Sequence, residues 1–305
     1  MKIVLNLPFN GCPPNPAFVS QEAIMGLCAT AEEAGFGGVS LTEHPAPSEA
    51  WRQAGGHDAL DPFVGLAFAA AATKKIRLFT YLIVLPYRNP FLAAKSAASL
   101  DALSNGRLEL GLGAGYLKSE FFALGVKFEE RNELFDESIR VMKMAWTGEP
   151  VTYDGKHFSA KGVTSQPRPA QRNPHPPLWI GGNSQMAQRR VAEQAQGWLA
   201  MPSTPDQAKN RRSVALQTLK DMEAVINGIK AHAKSIGRKE PFSVMYPLGG
   251  GHSGDETPAG QVAFCKSLSE LGVNWASFHT HADTLAGLKD EIKRAGDELI
   301  SKLPK

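Results

Sequence analysis

The sequence predicts an α/β chain folded as a single parallel (β/α)8 (TIM) barrel, residues 1–305, with an insertion after the fourth strand. Short apolar, β-branched-rich runs alternate with longer segments of helical period, the pattern of a parallel sheet with crossover helices. Eight such runs occur, the number that closes a barrel. At 305 residues and 43% hydrophobic content, the chain can bury one large core and still carry an insertion. The competing arrangement is an open doubly wound sheet, but no clear dinucleotide-binding half follows the first strand.

The first predicted strand is Ile3 to Phe9, bounded by prolines, and Gln21 to Glu33 follows with helical period. Gly38 to Thr42 and the helix Pro62 to Ala72 make the second unit. The third strand, Arg77 to Leu85, is strongly apolar and ends in the turn Pro86-Tyr-Arg-Asn89-Pro90, which leads to a helix over Ala93 to Leu103. Arg107 to Gly111 is the fourth strand. After it, residues 116–177 carry one helix, Arg131 to Trp146, and then a Gly- and Pro-rich stretch, which reads as an insertion. In a barrel, insertions that extend βα loops lie at the C-terminal face, where active sites form. Four units remain: Leu178 to Gly181 with Ser184 to Gln194, Gly197 to Met201 with Pro205 to Ser235, Phe242 to Leu248 with Gly260 to Leu271, and Trp275 to His279 with Thr284 to Leu303. Gly35, Gly37, Gly148, Gly237 and Gly272 follow apparent helix ends, where glycine takes a left-handed conformation most cheaply.

Composition excludes several classes. The 33 basic and 30 acidic residues give a formal charge of +3, far from the dense basic face of a nucleic-acid binder. Cys12, Cys28 and Cys265 form neither a C-x-x-C pair nor an even framework, so a reducing, cytoplasmic setting is expected. The N-terminal apolar run is too short for a secretory leader, and no stretch of about 18 apolar residues predicts a membrane span. Neither a G-x-S-x-G elbow nor a P-loop occurs.

Four segments can carry chemistry. Gly111-Leu-Gly-Ala-Gly115-Tyr116 fails the G-x-G-x-x-G spacing because Tyr116 stands where glycine is needed. Its small residues either let the strand end approach its neighbours or leave room for a flat cofactor. Leu178-Trp-Ile-Gly-Gly182-Asn183-Ser184 is a strand that enters a helix through good capping residues. It reads as a phosphate cradle at a positive helix end, as an ordinary tight turn, or as both. His44 follows the second strand, so the fold points it into the barrel mouth, where an imidazole can hydrogen-bond a ring edge or move a proton. Finally, His279 and His281 share a strand face and could join His44 or His57 around a metal. No carboxylate accompanies them with ligand spacing, so no metal site is expected.

Leu41-Thr-Glu-His44, Leu85-Pro-Tyr-Arg-Asn-Pro90, Leu100 to Arg107, Leu110 to Gly115, Phe121 to Arg131, Trp146-Thr-Gly-Glu-Pro150 and Pro177 to Gly182 occur in that order. Together they resemble the bacterial luciferase-like flavin monooxygenase superfamily, and within it the branch of coenzyme F420-dependent (deazaflavin) oxidoreductases. The likeness is weaker beyond about Pro202. The resemblance implies a reduced flavin (FMN) or deazaflavin (F420) lying across the mouth under the 116–177 insertion. It implies His44 as the catalytic residue beside the ring. Asn6, Thr80, Tyr81, Leu82, Ala114 and Tyr116, with Gly181, Gly182, Asn183 and Ser184 at the phosphate end, complete the implied cofactor-binding set. The Tyr81-Leu82 step matches a non-prolyl cis peptide that buttresses the ring in such proteins. Ala114 departs from luciferase itself, which has an arginine there, so one charge partner of a flavin phosphate is missing.

The expected activity is monooxygenation if the cofactor is a flavin and hydride transfer if it is a deazaflavin, on a small organic substrate. A homodimer is implied by the resemblance, and a separate reductase is a partner where the cofactor arrives reduced; neither nucleic acid nor membrane is. The alternatives are a non-catalytic flavin-binding barrel and a metal-dependent barrel hydrolase using His279 and His281.

Overall fold

The computed structural model describes residues 1–9, 11–210, 213–249 and 255–304. Eight parallel strands close a barrel: β1 (Lys2–Asn6), β2 (Gly38–Leu41), β3 (Arg77–Val84), β4 (Leu108–Gly113), β7 (Leu178–Gly181), β8 (Gly197–Leu199), β9 (Ser243–Pro247) and β10 (Trp275–His279). The ring closes where β1 pairs with β10, Lys2 opposite Trp275 and Asn6 opposite His279. A separate antiparallel hairpin, β5 (Val151–Asp154) and β6 (Ser159–Val163), lies between β4 and β7 in sequence. The predicted fold class is therefore the observed one.

The helices are α1 (Gln21–Glu33), α2 (Glu49–Gln53), α3 (Pro62–Ala72), α4 (Pro90–Leu103), α5 (Lys118–Ala123), α6 (Arg131–Trp146), α7 (Gln185–Gln194), α8 (Pro205–Asn210), α9 (Leu219–Ser235), α10 (Pro258–Glu270) and α11 (Leu285–Glu298). Their starts are written in the sequence. Asp61 caps α3 by accepting from Phe63 and Val64, with Pro62 in the first turn, and Asn89 does the same for α4 ahead of Pro90. The segment Pro205 to Ser235 reads as one helix but holds two, with residues 211 and 212 of that segment outside the described set. Thr218 and Asp221 form a reciprocal capping box, which starts α9 afresh at Leu219. Gly35, Gly148, Gly237 and Gly272 take positive φ after helices, whereas Gly37 does not. At Gly37 the constraint is space: a Cβ would stand 3.0 Å from the Lys2 Cβ.

Two apolar layers hold the barrel. Between strands and helices runs a continuous core that includes Leu5, Leu27, Leu66, Leu78, Leu110, Ile180 and Ile229. Inside the barrel, Val4, Phe79, Trp179, Leu199, Met245 and Trp275 fill the lumen, with Phe79 packed edge-on against Trp179 and Trp275 at 5.4 and 5.1 Å. Glu109 closes the lower end. It accepts from Trp179 Nε1 at 2.6 Å and from Arg77 Nε at 2.7 Å, and burial raises its pKa above the usual carboxylate range. Above this plug, Tyr81, Leu82 and Met201 form the floor of the upper end.

The insertion does not act as one roof. The helix α6 packs against α4 and is the barrel's own helix between β4 and β7. The chain from Thr147 to Pro177 belongs to the αβ connection between α6 and β7. The hairpin tip lies back along α6, where Glu137 accepts from the backbone of His157 and Phe158 at 3.1 Å. Gln171 then reaches the lower strand ends, donating to Asp101 and the Leu108 carbonyl at 2.8 Å. Of residues 116–177 only the first part, through Tyr116 and Glu120, reaches the mouth. Among the described residues no helix is long and apolar enough to cross a membrane.

Candidate active site

A cavity of about 360 Å3 opens at the C-terminal ends of the strands, within the range of small-molecule sites. His44 and His57 stand on one side, Tyr81 and Leu82 beneath, Ala114 and Tyr116 on the β4 side, and Gly181 to Ser184 at the far end. Two expected residues are not among its lining. Thr80 is fully buried and donates to the Gly111 carbonyl at 2.8 Å. Asn6 is engaged with Ser40 Oγ and, at 2.6 Å, with His279 Nε2.

The floor depends on missing side chains. The Tyr81-Leu82 peptide is cis, as the resemblance implied. Leu82 then fills the space that Cβ atoms on Gly113 and Gly181 would occupy, at 2.5 and 2.1 Å from its methyl groups. Both glycines are therefore needed to seat Leu82 as a flat apolar platform. Burial pushes the Tyr81 phenol up to about 12, so it stays a neutral hydroxyl.

At the second-strand side, His44 is nearly enclosed, its side chain 8% exposed. Its Nδ1 lies 3.4 Å from Glu120 Oε1, yet no hydrogen bond satisfies that nitrogen. Glu120 itself is 1% exposed and accepts from Tyr87 Oη at 2.9 Å and from the Ala46 backbone at 3.4 Å. Trp51 stacks on His44 at 4.5 Å, and His57 meets it edge-on at 4.8 Å. The sequence offered no pattern for Glu120 or Trp51, since both stand on short helices outside the barrel repeat.

Beside them Glu43 accepts from the Val84 backbone at 2.6 Å and from Arg88 Nε at 2.8 Å, and Arg88 also bonds Asp61 at 2.6 Å. This chain ties the ends of β2 and β3 to the cap of α3. Burial raises the Glu43 pKa, with Arg88 opposing.

At the far end, Gly182 takes φ +102° and has no heavy atom within 4 Å of a built Cβ. The Asn183 side chain is already used: it donates to the Met201 carbonyl at 2.5 Å and accepts from the Met201 amide at 3.1 Å. Ser184 caps α7 by accepting from Ala187 at 3.2 Å. The capped tight turn is therefore what the structure shows, and it leaves backbone open for an anion. The two side chains build the turn, and an anion would meet the open face of Gly182 and the first-turn amides of α7 rather than the side chains themselves. A ring cofactor carrying a phosphate fits this arrangement: an apolar platform, open backbone at one end, and the His44 imidazole at the other.

The metal alternative gains no support from the geometry. His279 faces Asn6, the His281 amide donates to Glu291 at 2.7 Å, and no group of three or more His, Cys, Asp or Glu converges as ligands among the described residues. These histidines instead line a groove of about 460 Å3 between α10 and α11.

Comparison with known proteins identifies the family and the fold. The model of the luciferase-like monooxygenase family matches residues 1–250. The chain belongs to that family. An F420-dependent glucose-6-phosphate dehydrogenase of Beutenbergia cavernae is 33% identical over 181 residues, 58% of this chain and 51% of that protein. The chain spans about half the length of the curated relatives it matches. The monooxygenase RslO1 from Streptomyces bottropensis superposes with a TM-score of 0.78 at 22% identity over 99% of each chain. The FMN-bound oxygenating constituent of 3,6-diketocamphane monooxygenase from Pseudomonas putida does so with a TM-score of 0.76 at 16% identity, over 100% of this chain and 99% of that one. At those identities the two structures establish the shared fold.

Proposed function

We propose that this family member is an oxidoreductase that holds a flavin-type ring across the barrel mouth, a deazaflavin of the F420 type ahead of FMN, and acts on a small organic alcohol or carbonyl compound. The observation that carries the reading is one cavity with the His44 and Glu120 pair at one end and the open backbone of Gly182 at the other. The deazaflavin is favoured by the named relatives above 30% identity and by Ala114, which offers no cation to a flavin phosphate.

When bound, such a cofactor supplies hydride chemistry, or oxygen chemistry in the case of a flavin. The chain's own residues orient and shield it. Leu82 on its two glycines supports one ring face, and Trp51, His57 and Tyr116 narrow the space around His44. His44 passes a proton to or from the substrate oxygen, and Glu120, held by Tyr87, faces its Nδ1 and fixes the ring. In the FMN reading a separate reductase delivers the reduced cofactor.

Fluorescence titration of the purified protein with coenzyme F420 and with FMN tests this. Saturable quenching by F420 is the expected result, tighter FMN binding would reverse the preference, and binding of neither would remove the proposal. Gly182→Asp is expected to weaken binding about tenfold by placing a carboxylate at the helix end that meets the phosphate. Gly182→Ala shares the cost of a positive φ but adds no charge, so the difference between the two dissociation constants isolates the electrostatic part.

A further inference from the structure

We propose that His44 and His57 form a pair with divided roles, His44 turned to Glu120 and His57 a neutral hydrogen-bond acceptor for a substrate hydroxyl. The pair is catalytically meaningful only if the oxidoreductase reading above holds, but the tautomer and protonation of His57 are properties of the cofactor-free protein.

The geometry assigns the two roles. The rings meet edge-on with centroids 4.8 Å apart, and Trp51 closes against both, 4.5 Å from His44 and 5.5 Å from His57. His57 Nδ1 lies 3.2 Å from the Asp58 carbonyl. A carbonyl only accepts, so Nδ1 carries hydrogen in every protonation state and Nε2 is the nitrogen that gains or loses a proton. His57 lines the cavity, so that nitrogen serves the mouth. Glu120 Oε1 stands 3.4 Å from His44 Nδ1, so the two imidazoles meet different partners. A charge on His57 would sit against the His44 ring inside a partly desolvated pocket, which favours the neutral form of His57.

The surroundings act in the same direction on balance. Burial and then the neighbouring His44 lower the His57 pKa, with Asp58 and Glu120 opposing. His279 on β10 is close enough to repel a charge on His57 as well. On the His44 side the neighbours are Glu120 and the ring of Tyr116 at 6.4 Å, while the Tyr87 hydroxyl occupies the second Glu120 oxygen. A substrate oxygen at His44 and a hydroxyl at His57 Nε2 would satisfy both, which points to a hydroxylated alcohol or carbonyl substrate.

The test is an NMR titration of the imidazole nitrogens and ring protons in cofactor-free protein. In the unaltered protein His57 should show the Nδ1–H tautomer and titrate below the ordinary histidine range. In His44→Gln its midpoint should rise by about half a pH unit or more, because the neighbouring imidazole that lowers it is gone. An Nε2–H tautomer in the unaltered protein, or an unmoved midpoint in the variant, would overturn the proposal. The tautomer measurement needs no variant, so it stands even where His44→Gln fails to fold. Since no cofactor is present, loss of the pair and loss of cofactor binding are read in separate experiments.

Discussion

His44→Ala is expected to lower kcat by about 10^2- to 10^4-fold, the range associated with losing a positioned general acid–base group. Cofactor affinity should change by no more than about threefold, since the platform of Leu82 and the Gly182 turn lie elsewhere in the cavity. Glu120→Gln should reproduce much of the loss. It keeps an oxygen for the Tyr87 hydroxyl but removes the charge facing His44 Nδ1. Glu120 acts through His44, so the two substitutions should not add: the double variant should be about as slow as His44→Ala alone. The discriminating readout is the pH profile of kcat/KM, which Glu120→Gln should displace and a merely structural residue would leave in place. Equal turnover in His44→Ala would remove it from the reaction.

The parts of this site that were legible in the sequence are those governed by the barrel repeat. A residue just past a strand end faces the mouth, and that rule alone brings His44, Ala114, Tyr116 and Gly181 to Ser184 into one cavity. The strand period, taken further, would have excluded Thr80: Phe79 and Tyr81 point into the barrel, so the residue between them points out. Asn6 has the inward parity of Val4, yet Ser40 and His279 engage its amide, a tertiary choice no local pattern encodes. Glu120 and Trp51 were hidden for a different reason, and His57 entered only as a possible metal partner. They sit in βα connections without period, and the meeting of Ala46 with Glu120 spans 74 residues. The hairpin escaped notice because β5 and β6 are short and largely exposed, so they carry little of the apolar alternation that marks a strand. Conversely, capping chemistry is local, and α3, α4 and α7, which start behind the caps Asp61, Asn89 and Ser184, begin within three residues of the predicted starts.

Gly111→Ala is expected to be the most damaging single methyl in the barrel wall, costing about 3 kcal/mol or more and lowering Tm by roughly 5 °C or more. A Cβ at this position would stand 2.0 Å from the Thr80 carbonyl oxygen and 2.9 Å from a Leu199 methyl. The first of these is backbone and cannot rotate aside. Thr80 is also held from the other direction, because its hydroxyl donates to the Gly111 carbonyl at 2.8 Å. Relief requires β3 and β4 to separate just where their register shifts, between the pairs Thr80–Leu110 and Ile83–Leu112. That movement would carry Tyr81 and Leu82 with it, so the floor of the mouth should be lost along with stability. Gly113→Ala provides the contrast. Its Cβ would meet the Leu82 methyl at 2.5 Å, the far end of a side chain that can turn away. Gly113→Ala should therefore cost less stability, yet weaken cofactor binding by displacing the platform. Thermal unfolding and cofactor titration on the two variants separate these effects. Equal stability in Gly111→Ala would show that the β3–β4 contact is not the rigid one described, and unchanged binding in Gly113→Ala would show that Leu82 is not the surface on which the ring rests.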